Sequence, residues 1–136
     1  MIDIVNGLLV RAGTVLLVRR SANRKAYPGK WSFPGGHTEE DETLDAALVR
    51  EIGEELGITP TACERLEALI DPHPPRSAPI TYHLYAITAW DGGEPTLQGD
   101  EHSELHWFSP DDAMLLPDLA LPSYRRVLDA IRHRLD

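Results

Sequence analysis

With 136 residues, 42% of them hydrophobic and 26% charged, the chain is long enough for one packed core and reads as a single domain over 1–136. A net charge of -9 excludes a broad basic surface for a nucleic-acid polymer, so an anionic small molecule has to be drawn in locally, by metal ions and a few placed arginines. The lone cysteine, Cys63, excludes an intramolecular disulfide and a cysteine-built metal site, and reads as a buried thiol.

In chain order, Ile4 to Val10 and Thr14 to Arg19 read as two strands around Ala12-Gly13, a hairpin rather than a signal peptide. No apolar run is long enough to span a bilayer, so a cytoplasmic protein with no membrane partner is expected. A third extended segment surrounds Trp31 to Phe33. Pro34-Gly35-Gly36 then places two permissive residues after a rigid one, which suits a tight turn that presents backbone groups to a ligand.

Leu44, Leu48, Ile52 and Leu56 recur every fourth residue and predict a helix with one row facing a core. Asp41 or Thr43 caps its start, Asp45 suits the dipole of the first turn, and Gly57 ends it in the left-handed conformation. Ala47, Glu51 and Glu55 form the adjacent row, with Glu54 three residues from Glu51, so three carboxylates point into one small volume. Like charges so placed destabilise an isolated helix by a few tenths of a kcal/mol, roughly, and a divalent cation would offset that. Magnesium fits, since it takes hard oxygen ligands from one or two carboxylates together with substrate phosphates. Arg50 stands one residue before Glu51 and four before Glu54, placed to pair with a carboxylate and fix its rotamer. Taken alone, such a run is more often a solvated acidic face; the adjoining glycine turn favours a site. Gly53, roughly opposite the leucine row, costs about 1 kcal/mol relative to alanine and reads as a weak point or a close backbone contact.

Beyond the helix, Cys63 to Ile70 and Ile80 to Trp90 read as strands, with a turn at Asp91-Gly92-Gly93. Between them, Asp71 to Pro79 holds four prolines and reads as a stiff surface loop or a preordered rim of a binding site. Leu105 to Phe108 is a further short strand and Pro110 to Leu116 a helical turn. Tyr124, Val127, Leu128, Ile131 and Leu135 then follow helical spacing, with Ser123 as cap, in a helix that packs on the sheet. The six histidines show no metal-ligand spacing, so structural or incidental roles are expected for them and no zinc site is proposed.

The segment Gly36 to Ile58, GHTEEDETLDAALVREIGEELGI, resembles the Nudix box, GX5EX7REUXEEXGU with U aliphatic, at every fixed position. That resemblance implies an α/β Nudix fold, a mixed β-sheet sandwiched between α-helices, and hydrolysis of a nucleoside diphosphate linked to a group X. It implies Mg2+ as cofactor, with Mn2+ as a possible substitute. The Gly35 carbonyl, Glu54 and Glu55 are then metal ligands, Glu51 a ligand or the catalytic base, Arg50 its orienting partner, and Glu42 structural. One further acid is drawn from a loop after the box; Glu101 is preferred, then Glu104.

The resemblance also puts Arg20, at the end of a strand, on the substrate phosphates, and alternation sends Arg19 to the other face. Gly36 is placed at the substrate, and Phe33, with Trp31, stacks on a base or belongs to the core. Length, the YPGKWSFPGG approach and Leu119-Ala120-Leu121-Pro122 are most similar to MutT-type enzymes, which convert a nucleoside triphosphate to its monophosphate and pyrophosphate. Members that recognise oxidised guanine carry an asparagine near the start of the last helix; this chain has Ala120 there, with Asp118 as the nearby acceptor. Pro74, sixteen residues beyond Ile58, points instead to ADP-ribose or a related nucleotide sugar. A non-catalytic nucleotide-binding module is the alternative of another class, and Glu51, Glu54 and Glu55 speak against it. The expected partner is a nucleotide, with monomer and homodimer both open.

Overall fold

The computed structural model describes residues 2–25, 27–71 and 79–135, so most of the proline-rich loop, Pro74 included, lies outside the described residues. β1 (Ile2–Arg11) and β2 (Thr14–Arg20) turn at Ala12 and Gly13, both at positive φ, and share only Val10↔Val15 and Arg11↔Thr14 before they diverge. Each then leads its own wing of a mixed seven-stranded sheet. β1 runs parallel to β6 (Ile80–Asp91), which pairs antiparallel with β5 (Thr59–Ile70). β2 pairs antiparallel with β3 (Trp31–Ser32) and β7 (His102–Phe108).

Alternation along the strands divides the core. Val5 and Leu9 of β1, Leu16 and Val18 of β2, and Tyr85 and Ile87 of β6 face α1 (Leu44–Leu56). Leu8, Val15, Leu17, Leu84 and Ala86 face α2 (Pro110–Met114) and α3 (Tyr124–Leu135) on the other side. The result is a sheet between helices. Leu48, Ile52 and Leu56 of α1 are fully buried, each stabilising the fold by roughly 1.5–3 kcal/mol relative to exposure. Gly7 allows α1 to lie close, since a Cβ there would stand 2.5 Å from Ile87 Cδ1 and 3.2 Å from Ile52 Cδ1.

Thr43 is the N-cap of α1, accepting from the Ala46 amide at 3.1 Å, and Gly57 closes the helix at φ 70. Between β3 and α1, where the sequence predicts a turn alone, the chain adds a short strand, β4 (Gly35–His37), paired with Ile4 to Asn6 of β1. The two glycines permit the strand, because a Cβ on Gly35 would lie 1.8 Å from the Val5 carbonyl. β5 starts earlier than expected, at Thr59, because its pairing with β6 extends through Pro60↔Trp90 to Thr59↔Asp91.

One local expectation is corrected, and for Gly53 the weak-point alternative is the one left. Cys63 is exposed, not buried, because β5 is the sheet's edge and this stretch of it carries little cover. Gly53 makes no close backbone contact: a Cβ there would find only the Ile58 carbonyl, at 3.6 Å. Among the described residues no helix is long and apolar enough to cross a membrane.

Candidate active site

Arg50 organises the carboxylates. Its Nε and Nη2 donate to Glu42 at 2.7 and 2.9 Å, Nη1 donates to Glu51 Oε1 at 2.9 Å, and Nη2 also reaches the His37 carbonyl at 3.0 Å. Hydrogen bonding from Arg50 and from the Glu39 amide holds the Glu42 carboxyl down at about 2. With Oε1 of Glu51 engaged, Oε2 faces the glycine turn, where a Cβ on Gly36 would lie 2.4 Å away. A Cβ there would displace the Glu51 carboxylate from this position. Burial pushes the Glu51 carboxyl up, and hydrogen bonding from Arg50 opposes that.

Glu55, one turn further, is 4% exposed, and neither of its side-chain oxygens has a well-formed hydrogen bond among the described residues. Burial, and then the nearby charges of Glu51 and Glu101, raise its carboxyl well above the ordinary range; the Gly35 amide and Arg20 only temper this. An orphaned buried carboxylate beside two other acids fits a cation site by its donor chemistry. Glu54 stands apart from this group, 60% exposed and 3.3 Å from Arg50.

Glu51 and the glycine turn border a cavity of about 460 Å3, within the range of small-molecule sites. Glu51, Gly35, Gly36, Glu101 and His102 are among its lining residues. Arg20, Arg24 and Lys25 supply positive charge in a chain whose net charge is -9. Apolar and aromatic lining comes from Ile4, Phe33, Tyr82, Ala120 and Tyr124. Phe33 is almost wholly buried and packs on Tyr124 with ring centroids 4.5 Å apart.

The structure therefore gathers Arg20, Phe33, Gly35, Gly36, Glu51, Glu101 and Ala120 around one cavity, with Glu55 and Arg50 behind it. Trp31 turns away, onto Phe108 and His106. Arg19 lies across the strand from Arg20, binding Glu104 at 3.1 Å and Asp118 at 3.4 Å, so both acids are engaged outside the cavity. Arg20 is partly buried, and that burial, followed by the charge of Arg24, lowers its guanidinium below the usual value.

Sequence reasoning missed several members. His102 is buried, with Nδ1 3.4 Å from Glu55 Oε1, and burial lowers its imidazole to about 4. Arg24 and Lys25 come from the β2–β3 connection, which shows no motif; Arg24 reaches Glu101 at 3.5 Å. Tyr27 donates to the buried Asp71 in a short hydrogen bond that joins this connection to the end of β5. Asn6 donates to the Phe33 carbonyl at 2.9 Å and so anchors the segment leading to the glycine turn.

The family model described as NUDIX domain matches residues 3–131. The chain belongs to the Nudix family. This Nudix chain is 38% identical over 117 residues to the CTP pyrophosphohydrolase of Escherichia coli (strain K12), spanning 86% of this chain and 82% of that protein. It is 33% identical over 129 residues to the ADP-ribose pyrophosphatase of Methanocaldococcus jannaschii, spanning 94% and 72%. The crystal structure of a MutT NUDIX hydrolase from Burkholderia pseudomallei matches with a TM-score of 0.81 at 30% identity, over 93% of this chain and 95% of that one. The protein is a MutT-type Nudix hydrolase, an enzyme acting on pyrophosphate linkages.

Proposed function

We propose that this Nudix hydrolase is Mg2+-dependent and converts a nucleoside triphosphate to its monophosphate and pyrophosphate. The observation that carries this reading is one cavity lined together by the carboxylates of Glu51 and Glu101, by the cations Arg20, Arg24 and Lys25, and by apolar and aromatic side chains. A cation, a triphosphate and a base ask for those three kinds of lining. Similarity to the Escherichia coli CTP pyrophosphohydrolase over most of both chains supports the same class of substrate.

Glu55, Glu101 and the Gly35 carbonyl are the groups that would hold the cation, with Glu51 kept as the base. When bound, such an ion neutralises charge developing on phosphate oxygens and acidifies a coordinated water. The remaining chemistry belongs to the chain. Arg50 holds Glu51 through Oε1, leaving Oε2 at the glycine turn to accept the proton of the attacking water. Burial, by raising the Glu51 carboxyl, makes it the stronger base. Water adds to phosphorus as the bridging P–O bond breaks, leaving nucleoside monophosphate and pyrophosphate, and Arg20 and its cationic neighbours hold the charge that develops on the departing oxygen. Glu54, 60% exposed and beside Arg50, is the further carboxylate that would join the cation site.

The test is turnover of a panel of canonical and oxidised nucleoside triphosphates, ADP-ribose and dinucleoside polyphosphates, with Mg2+ and with chelator, products identified by chromatography. Mg2+-dependent release of pyrophosphate from a triphosphate is the expected result. Preferred cleavage of ADP-ribose would instead align the enzyme with its Methanocaldococcus jannaschii relative. No turnover of any compound would leave a binding module.

A further inference from the structure

Glu55, Glu101 and His102 come from the end of α1 and the start of β7, yet each offers a ligand atom within 4.8 Å of the other two. Clustered acids alone are common on surfaces. This cluster differs because Glu55 is 4% exposed and neither of its side-chain oxygens has a well-formed hydrogen bond among the described residues, an arrangement that is costly for the ionised carboxylate and that a cation in the space between the three would offset. The His102 ring is buried beside it. Its Nδ1 stands 3.4 Å from Glu55 Oε1, longer than a good hydrogen bond and compatible with two donors sharing a third atom.

We infer that His102 supplies a nitrogen donor, through Nδ1, to the cation site built on Glu55 and Glu101, and that this biases the site from Mg2+ toward Mn2+ and similar ions. The inference rests on the reading of Glu55 as a metal ligand. Mg2+ prefers oxygen ligands in near-ideal octahedral geometry, whereas first-row transition ions bind imidazole readily. Two other histidines are engaged elsewhere, His83 with Asp3 and His106 with Glu104. His37 lines the cavity without belonging to the cluster, which makes it the control.

The experiment is Mn2+ titrated into metal-free protein, with affinity followed by electron paramagnetic resonance and ligand nitrogen detected by electron spin echo modulation. Wild type should show 14N modulation that persists in His37→Asn and disappears in His102→Asn. In His102→Asn the dissociation constant for Mn2+ should rise by about tenfold or more, while that for Mg2+, read by competition, changes much less. Should His102→Asn fail to fold, wild-type protein labelled with 15N-histidine decides, because a coordinated imidazole then loses its 14N pattern. Mn2+ bound without nitrogen modulation, or modulation that survives the substitution and the labelling, overturns the inference and leaves the carboxylate site standing. Absence of any Mn2+ binding sensitive to Glu55→Gln overturns both.

Discussion

Arg50 and Glu42 meet fork to fork, Nε to Oε2 at 2.7 Å and Nη2 to Oε1 at 2.9 Å, and the same guanidinium holds Glu51 Oε1 at 2.9 Å. Glu42 therefore acts on Glu51 through Arg50. A planar guanidinium with acceptors on Glu42, Glu51 and His37 has one usable rotamer, and Glu51 inherits that definition. Arg50→Lys keeps the charge and loses the fork. We expect kcat to fall by about 100-fold with KM little changed, in line with misplacement of a reacting group. Steady-state kinetics on the best triphosphate measure this, and an unchanged kcat would remove the orienting role.

The same contact sets a pH dependence. Glu42 titrates at about 2 in the folded chain against 4.5 ordinarily, because Arg50 and then the Glu39 amide favour its ionised form. A depressed carboxyl binds fewer protons folded than unfolded between those values. Its stabilising contribution is thus complete above 4.5 and is lost as pH falls toward about 2. Glu42→Gln should flatten the acid limb of stability in that window, measured as urea midpoints at successive pH values. Parallel curves for variant and wild type would count against it.

The packing helix was legible in the sequence because a strict four-residue row with a cap and a terminal glycine leaves few alternatives. The contrast between Glu51, Glu54 and Glu55 was not. Spacing puts all three near one another, but only the approach of β4 and β7 decides that Glu55 is buried, Glu51 half-buried and Glu54 exposed. His102 escaped for a similar reason, since its neighbour Glu55 is 47 residues away and no local pattern joins them. Arg20 was picked out by the family resemblance, alternation adding only that Arg19 takes the other face, whereas Arg24 and Lys25 lie in an irregular connection where periodicity says nothing. Cys63 was misread because an edge strand looks like a core strand until its neighbours are known.

Opposite fates of the paired arginines give a discriminating experiment. Arg20 lines the cavity, while Arg19 spans Glu104 and Asp118 and stands over the Trp31 ring at 5.8 Å. Arg20→Ala should raise KM for a nucleoside triphosphate roughly tenfold or more, the effect of losing a charge-assisted contact to phosphate. Arg19→Ala should leave KM unchanged and lower the melting temperature. A KM effect of equal size in both variants would contradict the assignment.

Gly53 offers a gain in stability. It sits inside α1, where an added methyl group would meet no atom closer than 3.6 Å, and its carbonyl accepts from Gly57 in a bond that alanine preserves. Gly53→Ala removes unfolded-chain freedom and should stabilise the protein by about 0.4–1 kcal/mol. Chemical denaturation measures it. Unaltered kcat/KM should accompany the gain, because the position points away from the carboxylates.

Glu55 should behave in the opposite sense with and without metal. Ionised and lacking a cation, it is a buried charge beside Glu51 and Glu101 with no well-formed hydrogen bond among the described residues, so the metal-free fold carries its desolvation. Glu55→Gln removes that charge at nearly constant shape. In chelator the variant should melt above wild type. With Mg2+ or Mn2+ the order should reverse, because only wild type gains binding free energy, about 2.7 kcal/mol when the ion is present at roughly 100 times its dissociation constant. Thermal melts of both proteins in chelator and in each metal make the comparison, with activity as a separate reading. A variant stabilised by the ions as strongly as wild type would show that Glu55 does not hold them.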